Sequence, residues 1–167
     1  MLKGITIKPI KKLNDERGFF AEIFRQDWQD LLNEEWPAQA NFSYTYPNMI
    51  RAWHRHLKRQ TDYFVAVNGE LKICAYEEKT KELNEIVSTG RDLQIVRVPG
   101  HYWHGFKVIG NETASLLYFT TKLYDHANPD EERRPWNDAT IVPRIINGNN
   151  KDSRAGMPWD WNYLPYK

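Results

Sequence analysis

An all-β antiparallel barrel or jelly roll is predicted by three observations. Short β-prone runs succeed one another from Ala40 to Leu123, turn residues separate nearly all of them, and no helical stretch intervenes. The chain opens with alternation of apolar Ile5, Ile7 and Pro9 with polar Thr6 and Lys8. The turn-forming Asn14-Asp15-Glu16-Arg17-Gly18 leads into a second alternating run, Phe20, Glu22, Phe24, and the two runs read as the strands of an early hairpin. Residues 27–35 carry Trp28, Leu31 and Leu32 at helical spacing behind an N-cap candidate, Asp27, and end before Pro37, which predicts one short helix. Eight strand-like runs follow, at 41–46, 49–54, 63–67, 71–76, 85–88, 93–98, 105–108 and 115–121. Asn68-Gly69, Thr89-Gly90-Arg91-Asp92 and Pro99-Gly100 supply turns between them. From about residue 125 the chain is polar and rich in turn formers, Pro129 to Pro165, and is expected to wrap the barrel irregularly, so that 1–167 forms one domain with few short helices.

Composition narrows the function. Aromatic residues make up 14% of the chain, with 7 Trp and 9 Tyr, which suits a cleft walled by flat rings. A formal net charge of +1, with both signs interspersed, lacks the polyelectrolyte signature of a nucleic-acid-binding module, so an anionic ligand must meet a local cationic patch. The single Cys74 cannot form an internal disulfide, and neither a leader nor a long apolar run is seen near Met1. A cytoplasmic protein without membrane attachment is the expectation.

The chemistry concentrates in Arg51-Ala52-Trp53-His54-Arg55-His56 and Pro99-Gly100-His101-Tyr102-Trp103-His104. His54 and His56 lie two apart on a predicted strand and share one face, with Trp53 and Arg55 on the other. Gln60 and His104 complete a spacing that would suit a metal centre in a double-stranded β-helix, with Gln60 standing where a carboxylate is wanted. An amide is a weak neutral ligand, so ligand chemistry leaves open both a metal and a hydrogen-bonded histidine group.

The ordered set Asp-x-Arg-Gly-Phe-Phe-x-Glu-x-Phe (15–24), Gln-x-Asn-x-Ser (39–43), Arg-x-x-His (51–54), His-Gly-Phe (104–106) and Tyr-x-Thr-Thr-x-x-Tyr (118–124) resembles the dTDP-4-dehydrorhamnose 3,5-epimerase family of cupins. The resemblance implies a cupin jelly roll, a homodimer sharing edge strands, a nucleoside-diphosphate 4-keto sugar as substrate, and neither metal nor other cofactor. The expected activity is isomerase chemistry: 3- and/or 5-epimerisation of a 4-keto-6-deoxy sugar through an enolate, in cell-surface polysaccharide synthesis.

Removing a proton beside a ketone needs an aligned base and a means of holding the developing charge, and epimerisation needs an acid on the opposite face. His54 is the candidate base, since a neutral imidazole titrates near working pH. By the resemblance, Tyr118 is the acid, His104 lies near the ketone oxygen, and Asp152 of Lys151-Asp152 orients His54. Arg17 and Arg51 offer fork-shaped donors to the diphosphate. Phe20, Glu22, Gln39, Asn41 and Tyr124 would line the nucleotide and sugar site, some reaching in from a neighbouring subunit.

The largest departure from the family pattern is Asp62, which falls where the family has a lysine that helps stabilise the enolate. Ala52-Trp53 and His56 also differ from the family's usual residues. Arg-x-x-His-x-His followed by Gln resembles the sugar 3,4-ketoisomerases as well, so a ketoisomerase is one alternative; a catalytically silent nucleotide-sugar-binding cupin is the other.

Overall fold

The computed structural model describes residues 1–33 and 35–164, so the sequence readings at Glu34 and Pro165 lie outside it. Along the chain run β1 (Thr6–Pro9), β2 (Leu13–Asp15), β3 (Gly18–Phe20), α1 (Gln29–Leu32), β4 (Gln39–Thr45), β5 (Ile50–Arg55) and β6 (Thr61–Asn68). Then come β7 (Glu70–Glu77), β8 (Glu82–Thr89), β9 (Gln94–Pro99), β10 (Trp103–Ile109), β11 (Ala114–Thr120), β12 (Glu132–Arg133) and β13 (Ile145–Ile146). Two sheets carry the fold, one ordered β1-β9-β6-β11-β4 and the other β12-β5-β10-β7-β8-β13. Every pairing is antiparallel except that of β13 with β8.

The period of two in side-chain direction explains the layering. On β6, Phe64 and Ala66 face the space between the sheets while Tyr63 and Val65 face outward. On β7, Leu71, Ile73 and Ala75 meet Phe64 and Ala66 in the inner core, and Cys74 and Tyr76 point outward. Both outer faces are covered, so these strands are buried on both sides and their sequences read as nearly continuous apolar runs. Phe24, Leu31 and Leu32 cover the five-stranded sheet. Ile141, Trp159 and Trp161 from the C-terminal segment cover Trp53, Cys74 and Tyr76 on the six-stranded one. Each such fully buried large side chain contributes about 1.5–3 kcal/mol.

All eight strand runs expected between residues 41 and 121 are present. The expected early hairpin is corrected. β1 pairs with β9 (Thr6↔Arg97 to Pro9↔Gln94), and the hairpin is the smaller β2–β3 unit around the Asp15–Gly18 turn. α1 is a single turn. Both Asp27 oxygens are held by Arg25, so the carboxylate does not cap the helix, and Asn33 ends it in the left-handed conformation at φ 47°. No helix among the described residues is long and apolar enough to cross a membrane.

Candidate active site

At one end of the space between the sheets opens a cavity of 710 Å³. Strand alternation selects its walls. Gln39, Asn41 and Ser43 from β4 and Leu116, Tyr118 and Thr120 from β11 line one side. Arg51 and His54 from β5 lie on the six-stranded sheet, and Tyr124, His126 and Arg133 reach in from the C-terminal segment.

His54 is placed by a bulge. β10 pairs with β5 as His104↔His54 and then Phe106↔Arg51, so β5 carries extra chain opposite Gly105. A Cβ on Gly105 would stand 2.4 Å from the Cβ of Ala52, so only glycine lets the bulge close. The result is a cross-strand pair of imidazoles whose centroids are 4.2 Å apart. Burial, and after it the neighbouring His104, hold His54 well below the usual imidazole range, so the ring is neutral at pH 7. No side-chain hydrogen bond engages His54 among the described residues, and its ring lines the cavity.

Behind His54 lies a buried polar group drawn from both sheets. Asp62 on β6 is 2% exposed, and its Oδ2 lies 3.0 Å from His104 Nε2 and 3.4 Å from His56 Nε2. Gln60 Nε2 donates to Asp62 Oδ1 at 2.7 Å and lies 3.1 Å from His56 Nε2. The far nitrogens of both rings face main-chain carbonyls, His104 Nδ1 that of Tyr102 at 2.8 Å and His56 Nδ1 that of Asp130 at 2.9 Å. Asp130 also takes the Leu57 and Lys58 amide hydrogens on its carboxylate, tying the loop after β5 to the C-terminal wrap. Gly100 packs against His56, where a Cβ would meet the Gln60 carbonyl at 2.4 Å.

Burial alone would raise the Asp62 carboxyl, but hydrogen bonds from His104 and His56 outweigh it and hold the group far below the usual carboxylate range. Burial likewise disfavours charge on His56, yet the hydrogen bond and charge of Asp62 raise its pKa above the ordinary value. The Tyr118 phenol is pushed up, first by burial and then by the Asp62 charge.

Of the residues expected at the site, His54, Tyr118, Gln39, Asn41, Arg51 and Tyr124 all line this one cavity. Three expectations are displaced. Arg17, Phe20 and Glu22 sit on or beside the exposed β2–β3 hairpin, Arg17 paired with Asp15 and Glu22 with Arg25. Asp152 does not orient His54, because both its oxygens are taken by Arg154, which reaches Glu85 on β8 behind the six-stranded sheet. His104 is fully buried with both nitrogens engaged, so no donor remains on it for a ketone oxygen. Sequence reading missed His126, Glu131, Arg133 and Arg134 at the cavity, all from the turn-rich segment. Their only sequence signal is a local concentration of charge. Tyr124 and His126 stack edge to face at 4.8 Å.

A family model described as the polysaccharide biosynthesis C-terminal domain matches residues 13–132, from β2 to β12. The chain belongs to this family. Two curated proteins similar to this polysaccharide biosynthesis C-terminal domain chain support the assignment. One is a probable low-salt glycan biosynthesis epimerase of Haloferax volcanii, 37% identical over 81% of this chain and 88% of its own. The other is a spore coat polysaccharide biosynthesis protein of Bacillus subtilis, 36% identical over 84% of this chain and 94% of its own. Solved structures share the fold. A dTDP sugar isomerase from Desulfovibrio desulfuricans superposes with a TM-score of 0.75 at 20% identity, covering 95% of this chain and 91% of that one. A dTDP-6-deoxy-D-glucose-3,5-epimerase from Legionella pneumophila, solved with dTDP-4-keto-L-rhamnose, gives 0.73 at 22% identity, covering 93% and 88%. The two-sheet all-β fold of this family member is thus shared with those structures.

Proposed function

We propose that the protein is an epimerase of a nucleoside-diphosphate 4-keto-6-deoxy sugar in cell-surface polysaccharide synthesis. The observation that carries this reading is the placement of a neutral His54 and a protonated Tyr118 on facing sheets around one cavity. His54 takes the proton beside the ketone, and Tyr118 returns one from the other side. Asp62, His56 and His104 form the charge-bearing wall. Asp62 Oδ2 is held 3.0 Å from His104 Nε2 and 3.4 Å from His56 Nε2, so its charge is directed into the two rings and away from the developing enolate. Asp62 thus need not oppose the chemistry, because its own charge is consumed by two imidazoles. Arg51, Arg133 and His126, which line the same cavity, supply cationic groups for the diphosphate, and Tyr124 offers a flat face to the nucleoside.

The epimerase name of the Haloferax volcanii relative supports the reaction class. The test is to incubate the protein with a dTDP-4-keto-6-deoxy sugar, trap the product by hydride reduction and determine its configuration by NMR. Inversion at C3, C5 or both is expected, and recovery of the unaltered sugar alone rejects the reading. One observation favours a second reaction, carbonyl relocation to C3: His56 also lines the cavity, 5.7 Å ring to ring from His54, so two imidazoles are available for proton shuttling. A 3-keto product would select it.

A homodimer completes the proposal. β4 is an edge strand whose outward face exposes Phe42 and Tyr44, and Tyr46 beyond it is exposed too. Pairing there would cover this face and bring a neighbour's β2–β3 hairpin, with Arg17 and Phe20, within reach of the cavity. The buried, unpaired Cys74 suits a reducing, cytoplasmic setting. Sedimentation velocity should return twice the chain mass, and a monomer at micromolar concentration would exclude the dimer.

A further inference from the structure

The residues that flank the site histidines in sequence point to the other side of their sheet. Strand alternation turns His54 and His104 inward, so Arg55 and Trp103 face outward, where Glu78 after β7 and Arg134 after β12 join them. Both guanidinium groups lie over the Trp103 ring, Arg134 at 4.1 Å and Arg55 at 4.6 Å from its centroid. Two cations on one ring repel, and the anion common to them is Glu78. Its Oε1 accepts from Arg134 Nη2 at 2.6 Å, while its Oε2 accepts from Trp103 Nε1 at 3.3 Å and stands 3.6 Å from Arg55 Nη1. Glu132 of β12 closes the group by accepting from Arg55 Nε.

We infer that this outer cluster is a clamp on β12, with Glu78 as a positioning residue for Arg133 at the cavity. β12 is a two-residue edge strand whose sheet partner is β5, through Glu132↔Arg55, Arg133↔His54 and the paired main-chain bonds of Trp53 with Arg134. So few hydrogen bonds at a sheet edge open readily unless side chains hold them. Upstream, the Asp130 carboxylate anchors the chain at the Leu57 and Lys58 amides; downstream, the side chain that grips the sheet is that of Arg134.

The register carries the effect of the clamp into the site. Cross-strand partners share a face, so the pairing that sends Glu132 to Arg55 on the outside sends Arg133 to His54 on the inside. The Arg133 side chain is largely exposed, and its bonds are to Glu131 on the same short segment. Its place beside His54 is therefore set by where β12 sits. Without Glu78, Arg134 would keep only longer contacts, to Thr140 Oγ1 at 3.5 Å and Asp138 Oδ2 at 3.8 Å, and would still face the like charge of Arg55 over Trp103. The functional consequence rests on the reading of Arg133 as a diphosphate-binding group; the clamp itself does not.

The test measures dTDP affinity by calorimetry for the wild type, Glu78→Ala, Arg133→Ala and the double variant, with amide hydrogen exchange of the ligand-free proteins alongside. Arg133→Ala should weaken binding about 10-fold or more, through loss of a charge-assisted contact, and Glu78→Ala about 5-fold. Acting through Arg133, Glu78→Ala should add less than about twofold once Arg133 is already Ala. Unaltered affinity in Glu78→Ala, or effects that multiply to about 50-fold in the double variant, would overturn the inference. Without ligand, the Trp53 and Arg134 amide hydrogens should exchange about 5–10-fold faster in Glu78→Ala, while those of β7 and β8 keep their wild-type rates. Unchanged exchange at Trp53 and Arg134, or equal acceleration throughout the sheet, would also overturn it. A wild type that does not bind dTDP rejects the nucleotide reading, and the exchange rates then decide the clamp alone.

Discussion

Asp62→Asn tests the electrostatic account of the site because it keeps the shape and removes the charge. In the wild type the carboxylate is almost wholly buried and serves two imidazoles at 3.0 and 3.4 Å. Removing one partner of a buried charge group costs about 3–5 kcal/mol, because the remaining charges are left without compensation. Here the cost depends on pH, since an imidazole can shed its proton. His56 has its pKa raised in the folded state, so its contribution is complete below the unfolded value near 6.5 and disappears as pH rises through the folded value. Each proton so released changes stability by at most about 1.4 kcal/mol per pH unit. The variant should therefore be about 3–5 kcal/mol less stable at pH 6, a fall of roughly 6–20 °C in Tm for a chain of this size. At pH 8.5, where the His56 proton is more readily lost, the deficit should be smaller. Thermal and urea unfolding at the two pH values measure this. An equal deficit at both, or a variant within about 2 °C of wild type at pH 6, refutes the reasoning.

Further expectations concern turnover and the wrap. Tyr118→Phe should retain loss of the substrate proton while net inversion falls about 10²–10⁴-fold, seen as isotope washout without epimer formation. The acid limb of kcat/KM should lie well below pH 6.5, because burial and His104 depress His54, and a limb at or above that value would count against His54 as base. The basic limb assigned to Tyr118 should fall above pH 10, since burial and the Asp62 charge raise the phenol. Trp161→Ala removes a ring packed 4.7 Å from Trp53 and a hydrogen bond to the Trp136 carbonyl, and should cost about 3–5 kcal/mol in urea unfolding.

Strands were legible wherever local alternation and turn residues agree, which is why every run from β4 to β11 was found. Pairing was legible only where it is local. The alternation of Ile5 and Ile7 marks β1 as a strand, but nothing in it points to β9, more than eighty residues on. α1 is shorter than its apolar spacing suggests because Arg25, two residues away, competes for the Asp27 carboxylate. At the site, residues that act from their own strand face were readable: His54, Tyr118, Gln39 and Asn41 all reach the cavity. Roles that depend on a partner from another element were not. Asp62 meets His104 across the two sheets, and its meaning changes from a misplaced negative charge to the centre of a hydrogen-bonded group. Asp152 is claimed by Arg154, and that pairing draws it toward Glu85 and away from His54.

The central claim is that His54 takes a proton from the carbon beside a sugar ketone. Its most direct test is solvent deuterium exchange into a dTDP-4-keto-6-deoxy sugar, followed by NMR, for the wild-type protein and for His54→Ala. The account predicts deuterium at C3 or C5 with the wild type and loss of that incorporation by about 10²–10⁴-fold in the variant, with nucleotide binding retained. Saturable binding without any incorporation, or incorporation that survives the loss of His54, would contradict it.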